Sequence, residues 1–157
     1  MLVIDREDPR QPDIRALVEE LDAYFGALYP AESNHLLDIE TLCLPPMRFF
    51  AGRRDGEALA IGGFWLHEDY AEIKRVYVPE RARGLGLGRS IMARLEAEAL
   101  AEGHGLLRLE AGIHQPEALG LYEALGYVRR GPFGEYGPDP VSVFMEKHLA
   151  GFPPSRE

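Results

Sequence analysis

Cysteine is nearly absent: the chain has 157 residues and a single cysteine, Cys43. No internal disulfide framework can form, which fits a reducing compartment, and stability must come from a packed core. Set in "TLCLPP", Cys43 reads as a small apolar filler, because a reactive thiol wants an electropositive setting. Positive charge is scarce too. Lys and Arg number 17 against 26 Asp and Glu, a net charge of −9, which argues against a nucleic-acid binder. The acidic balance is compatible with a cationic or amine substrate, although acidity also serves solubility alone. Long apolar runs are missing, so no membrane partner is expected. The opening "MLVIDREDPR" turns charged after four residues, which is not a signal-peptide pattern, and the chain reads as cytoplasmic. The five histidines lack metal-ligand spacing, and no zinc or other metal site is expected.

What is present is an ordinary globular composition, 46% hydrophobic, 27% charged and 10% aromatic, in a length that suits one domain. "LVID" reads as a first strand. From Pro12, the apolar residues Ile14, Leu17, Val18, Leu21, Tyr24, Phe25 and Leu28 recur at helical spacing. A second, short helix is expected over 34–42. "MRFFAGRR" and "EALAIGGFWL" read as a hairpin turned at Asp55–Gly56, and "AEIKRVYV" as a fourth strand. Leu87, Ile91, Met92, Leu95 and Ala99 form the next helical stripe. "LLRLEAG" is a fifth strand, Pro116 opens a helix capped by Gly126, and two strands close the chain near "YVRRG" and "VSVFMEKHL". The order is α+β in character.

The stretch "VPERARGLGLGRS" carries Gly84, Gly86 and Gly88 at every second position, flanked by Arg81, Arg83 and Arg89. Strand, glycine-rich turn, helix is a way to hold an anion, because amides at a helix N-terminus point outward and glycine lets a bulky group lie against the main chain. A phosphate-binding Walker loop needs Lys followed by Ser or Thr, and here Arg89 and Ser90 follow Gly88. A dinucleotide fingerprint needs G-x-G-x-x-G, and both registers fail, at Arg89 and at Ile91.

The run does fit R-x-x-G-x-G, as Arg83-Gly84-Leu85-Gly86-Leu87-Gly88, and here the chain resembles the GNAT superfamily of N-acetyltransferases. "LYEALGY" resembles that family's L-Y-E-x-x-G-F element, "AEIKRVYV" its fourth strand and "VFMEKHL" its closing strand; the strings "EIKRVYV", "HQPEALGLYEALGY" and "GPFGEY" are similar to a bacterial branch of unassigned substrate. The resemblance implies a mixed, mostly antiparallel seven-stranded sheet flanked by about four helices. It implies a single domain over 1–149, followed by a loose tail at 150–157. It implies acetyl-CoA as co-substrate, its pyrophosphate wrapped by Arg83, Gly84, Leu85, Gly86, Leu87, Gly88 and Arg89, and its pantetheine arm held by amides around Val76, Tyr77 and Val78. Gln115 stands where many members carry Asn, with the same donor and acceptor types.

Acetyl transfer from a thioester needs a neutral amine, a donor for the oxyanion and a proton for the leaving thiolate. By the same resemblance Tyr122 is the candidate acid and a contact of the cofactor's sulfur, its ordinary pKa of about 10 lying near that of a thiol. Its helical spacing with Leu121 and Leu125 equally suits a core position. Glu72 is the candidate base, with burial expected to raise its pKa; a strand-end carboxylate facing solvent or paired with Lys74 or Arg75 is the alternative. His67, Glu68 and Glu110 are further candidates for the base, and His114 either faces substrate or is structural. The acceptor pocket is expected between Tyr24–His35, the 67–70 loop and the 131–140 loop. The leading expectation is an N-acetyltransferase of small-molecule primary amines; a non-catalytic acyl-CoA sensor and a protein or peptide acetyltransferase are the alternatives, and a homodimer is left open.

Overall fold

The structure, a computed structural model, describes residues 1–30 and 38–149. The elements follow in the order β1 (Leu2–Arg6), α1 (Pro12–Leu28), α2 (Ile39–Leu42), β2 (Met47–Arg54), β3 (Glu57–Leu66), β4 (Ala71–Tyr77), a 3-10 turn (Glu80–Ala82), α3 (Leu87–Ala101), β5 (Leu106–Gly112), α4 (Pro116–Ala124), β6 (Val128–Arg130) and β7 (Ser142–His148). The expected helix over 34–42 is described only as Ile39–Leu42; 34–37, like the tail at 150–157, lie outside the described residues. Asp38 caps α2, its carboxylate accepting from the Thr41 amide at 2.8 Å.

One seven-stranded sheet has the order β1-β2-β3-β4-β5-β7-β6. All neighbours are antiparallel except β4 and β5, as the fold class expects. The β2–β3 hairpin turns at Asp55 and Gly56, both with positive φ. Because side chains alternate across a strand, β2 feeds two cores. Phe49 and Ala51 meet Ile14, Leu17 and Val18 of α1, while Phe50 joins Phe64, Ile91, Met92 and Leu95 under α3. The α3 core continues through Leu107, Leu109 and Met145 to Leu119 and Tyr122 of α4. Helices thus cover both faces: α1 and α2 one, α3 and α4 the other. Among the described residues no helix is long and apolar enough to cross a membrane.

Two glycines report opposite demands. A Cβ at Gly63 would stand 2.5 Å from the Arg48 carbonyl oxygen, backbone of the neighbouring strand that cannot swing away, whereas one at Gly26 in α1 would meet nothing within 4 Å. Gly63→Ala should therefore destabilise the fold by about 1–3 kcal/mol through overpacking. Gly26→Ala should stabilise it by about 0.5–1 kcal/mol by stiffening a helix interior. Urea unfolding of both variants checks the two signs.

Candidate active site

β4 and β5 run parallel, yet only Ala71 and Glu72 pair, with Leu107 and Arg108. Beyond that point they part, because β5 is committed to β7 along its whole length and β4 stays on β3. Backbone groups of β4 that point toward β5 past Glu72 have no strand to bond and are offered to whatever enters the gap. A bulge sits there: Lys74 lies opposite Gly63 and Tyr77 opposite Ile61, so Arg75 and Val76 together face Gly62. Arg75 takes a φ of 59°, which for a residue with a side chain costs on the order of 1 kcal/mol. Its buried guanidinium is ion-paired with Asp22 of α1, tying the helix to the bulge. Nearby, the Tyr77 hydroxyl donates to Glu20 of α1 at 3.2 Å.

The glycine run opens the gap's wider half, a cleft of about 570 Å³. Gly84 and Gly86 take φ of 84° and 76°, and a Cβ on either would point into open space, so both are there for conformation and for a bare approach. Gly86 caps α3 without any side-chain cap, which leaves the first amides of the helix facing the cleft. Gly88 has another reason to be glycine: a Cβ would lie 3.0 Å from Leu121, so it sets the approach of α3 to α4. Leu85 is exposed and does not line the cleft, whereas Arg83, Gly84, Gly86, Leu87, Gly88 and Arg89 do. Val76, Tyr77 and Val78 line the opposite wall. Arg83 also braces the turn, its Nε donating to the Val78 carbonyl at 3.1 Å.

Gln115 and Tyr122 line both this cleft and a narrower chamber of about 90 Å³ beside it. The Gln115 Oε1 accepts from the Gly112 amide at 3.0 Å and from the Tyr29 hydroxyl at 3.4 Å, which leaves the NH2 end of the side chain for the cleft. Tyr29 also accepts from the His114 amide at 3.1 Å, and its ring stacks on His114. A Cβ at Gly112 would stand 1.7 Å from the Tyr29 hydroxyl, so this clamp requires glycine there. His114 is thereby structural; it does not line either half. Tyr122 is buried in the α4 core, as its helical spacing suggested, and still reaches the junction of the two halves. Burial pushes its phenol up to about 12, not near a thiol's value as expected from the sequence. It therefore stays protonated at neutral pH, and among the described residues nothing hydrogen-bonds its hydroxyl.

Glu72 is buried at 5% exposure, and three donors hold it: His67 Nε2 at 2.9 Å, Lys74 Nζ at 2.8 Å and the Tyr136 hydroxyl at 2.5 Å. Burial pushes this carboxyl up, but the Lys74 charge and the hydrogen bonds from Lys74, Tyr136 and His67 outweigh it and hold the group below the ordinary value of 4.5. The expected upward shift is thus reversed, because the partners arrive with the burial. Of the other candidate bases, Glu110 lines the chamber, His67 sits behind Glu72, and Glu68 is exposed away from it. Of the expected pocket walls, Tyr24 lines the cleft and Tyr29 and Tyr136 line the chamber, while the 67–70 loop lines neither and 31–35 lies outside the described residues. Among the described residues no group of acidic, histidine or cysteine side chains could hold a metal ion.

A splayed sheet with a glycine turn and a helix N-terminus on one side and a small, largely aromatic and aliphatic chamber on the other is the layout of a group-transfer enzyme. The family model described as the acetyltransferase (GNAT) family matches residues 14–127, and the chain belongs to that family. It is 48% identical over 150 residues to an IAA acetyltransferase of Azospirillum brasilense, covering 94% of this chain and 98% of that protein. A Klebsiella pneumoniae protein provisionally described as an acyl-CoA N-acyltransferase superposes with a TM-score of 0.81 at 38% identity, over 95% of this chain and 98% of that one. An aminoglycoside 6'-N-acetyltransferase complexed with coenzyme A shares the fold, with a TM-score of 0.74 at 18% identity over 97% and 99% of the two chains.

The Glu72 cluster predicts a pH-dependent stability. A carboxyl held below 4.5 in the fold stabilises it above the unfolded value, and that contribution is lost as pH falls through the lower folded value. Glu72→Gln should cost about 3 kcal/mol at pH 7, where Lys74 loses a buried partner. The gap between variant and wild type should narrow steadily below pH 4.5. Denaturation midpoints at pH 7, 5 and 3.5 read it, and a gap independent of pH would place the loss in packing.

Proposed function

We propose that the protein is an acetyl-CoA-dependent N-acetyltransferase acting on the primary amine of a small molecule. The observation that carries this reading is the continuity of the two halves: the arginine-flanked glycine turn and α3 N-terminus open into the splay, and the splay opens into the chamber through Gln115 and Tyr122. In the reaction the neutral amine nitrogen forms a bond to the acetyl carbon, the carbon–sulfur bond breaks, the amine's proton leaves to a base or water, and the thiolate is released. The α3 amides, Arg83 and Arg89 hold the pyrophosphate, and backbone amides around Val76, Tyr77 and Val78 take the pantetheine arm and polarise the carbonyl. Tyr122, with a phenol well above a thiol of about 8.5, supports the leaving sulfur as a hydrogen-bond donor more than as a strong acid. Glu72, ionised across the neutral range, accepts the amine's proton directly or through water; with its pKa held low it is a weak base, and deprotonation of the amine by solvent carries much of that step.

Acetyl-CoA at millimolar concentration should raise the melting temperature by mass action. Gly86→Val should abolish that rise while leaving the unliganded melting temperature within a few degrees, since its cost is a blocked approach and a strained φ at an exposed turn. An unchanged wild-type melting temperature would overturn the cofactor assignment.

Tyr122→Phe keeps the ring in the α4 core and removes only the hydroxyl. Acetyl-CoA affinity should stay close to wild type while single-turnover transfer to the best amine falls about 10²-fold. Wild-type rates would remove Tyr122 from the chemistry. Tight acetyl-CoA binding with no transfer to any amine would make the protein a sensor of acyl-CoA.

A further inference from the structure

We propose that Tyr29, at the end of α1, is a positioning residue that fixes the Gln115 side chain so that its NH2 group meets the arm of the bound donor. This rests on the transferase reading and deepens it: the helix that walls the acceptor chamber also sets a hydrogen-bond donor for the cofactor. Gln115 lines both the cleft and the chamber. A donor anchored at the glycine turn passes it on the way to the chamber, carrying amide and thioester carbonyls that accept hydrogen bonds.

Gln115 occupies the N-cap position of α4, where a short oxygen-bearing side chain would cap the helix, yet it makes no side-chain cap. The side chain turns back to Gly112 instead. The Gly112 amide can only donate, so the atom it meets at 3.0 Å is Oε1 and the nitrogen points the other way. The same logic orders Tyr29. The His114 amide donates to its hydroxyl oxygen at 3.1 Å, so the hydroxyl's own proton goes to Gln115 Oε1 at 3.4 Å. Burial pushes the Tyr29 phenol above its ordinary value of 10.0, so that proton is present at neutral pH. Half a turn of the Gln115 amide would set its NH2 against the Gly112 N–H and the Tyr29 hydroxyl together. Among the described residues the NH2 has no partner in its present orientation.

Space enforces the arrangement. A Cβ at Gly112 would stand 1.7 Å from the Tyr29 hydroxyl and 2.8 Å from Gln115 Oε1, so the two side chains meet over bare backbone. Tyr29 is 8% exposed and its ring stacks on His114 at 5.6 Å. Its amide donates to the Phe25 carbonyl at 2.9 Å, which keeps it on the last turn of α1. That helix is tied to β4 through Asp22–Arg75 and Glu20–Tyr77. The orientation of Gln115, on the α4 side of the sheet, is thus set by a helix on the opposite face, through the splay.

A double-mutant cycle on acetyl-CoA affinity, read by calorimetry, tests this. Gln115→Leu should weaken acetyl-CoA by about threefold to tenfold, the loss of one hydrogen bond. Tyr29→Phe keeps the ring and its stack, removes the hydroxyl, and should weaken acetyl-CoA by about twofold to fivefold. In the double variant Tyr29→Phe should add nothing to Gln115→Leu, because the hydroxyl acts through Gln115 alone; a merely structural hydroxyl would weaken binding equally in both backgrounds. Gln115→Glu keeps an oxygen for Gly112 and Tyr29 and replaces the NH2 with a second acceptor. It should weaken acetyl-CoA at least as much as Gln115→Leu, and it carries the cycle if Gln115→Leu does not fold. Wild-type affinity in Tyr29→Phe or in Gln115→Glu, or additive losses in the double variant, would each overturn the inference and leave the transferase reading in place. Failure of the wild type to bind acetyl-CoA would overturn the transferase reading instead.

Discussion

The parting of β4 from β5 is the constraint on which the rest of the molecule depends. Each strand is fully occupied on its far side, β4 by β3 and β5 by β7, and the two share only Ala71–Leu107 and Glu72–Arg108. A sheet that opened this way over an apolar core would strand buried amides and carbonyls, each costing about 1–3 kcal/mol without a partner. The opening is tolerable because it is a cleft. Water or ligand satisfies the exposed backbone, and the chain that follows each parted strand builds a wall. After β4 come the glycine turn and α3; after β5 come Gln115 and α4. The opening therefore leaves backbone hydrogen-bonding capacity facing the walls that α3 and α4 build.

Two buried charges hold the covering elements to this opening. Arg75 fastens α1 to the bulge through Asp22, and Glu72 gathers His67, Lys74 and Tyr136. Buried ion pairs are weak contributors to net stability because desolvation offsets attraction. Their effect here is positional: breaking either leaves a buried charge alone, so alternative placements of α1 and of the 131–141 loop are penalised. The loop is further seated by Phe133, whose ring meets Tyr70, Tyr136 and Phe144, with Arg108 and Arg130 stacked nearby and both bonded to Glu146.

Wherever the signal was local, the sequence was readable. Period-two and helical patterns gave the element order throughout, with β5 and the start of α4 at their observed bounds, and the glycine run marked a turn of positive φ at the start of α3 before any contact was known. What escaped was set by long-range contact. Tyr29 sits at a helix end with no pattern to mark it, and its clamp joins residues 86 positions apart. Tyr136 lies in a loop of glycine and proline whose side-chain directions obey no period. Arg75 adopts positive φ without being glycine, so nothing in its identity announces the bulge. The error on Glu72 has the same root. Burial could be foreseen and Lys74 stood as a possible partner, but the other two donors that help reverse its effect, His67 and Tyr136, come from 5 and 64 residues away. Gly88 shows the converse, a residue counted with the cradle whose missing side chain serves helix packing.

The two halves of the site consequently answer to different parts of the sequence. The half beside the glycine turn is built mostly from backbone: amides at a helix start kept bare by Gly84 and Gly86, and amides on a parted strand. Such a half depends on a short contiguous motif and tolerates wide change elsewhere. The acceptor half is built from side chains on α1, β4, β5, β7 and the 131–141 loop. No motif holds these together, and each can be exchanged without disturbing the glycine turn. The chamber's character in this chain is therefore carried by dispersed positions such as Tyr29, Tyr136 and Ser142, where ring and hydroxyl placement, and not the glycine signature, set what the chamber offers.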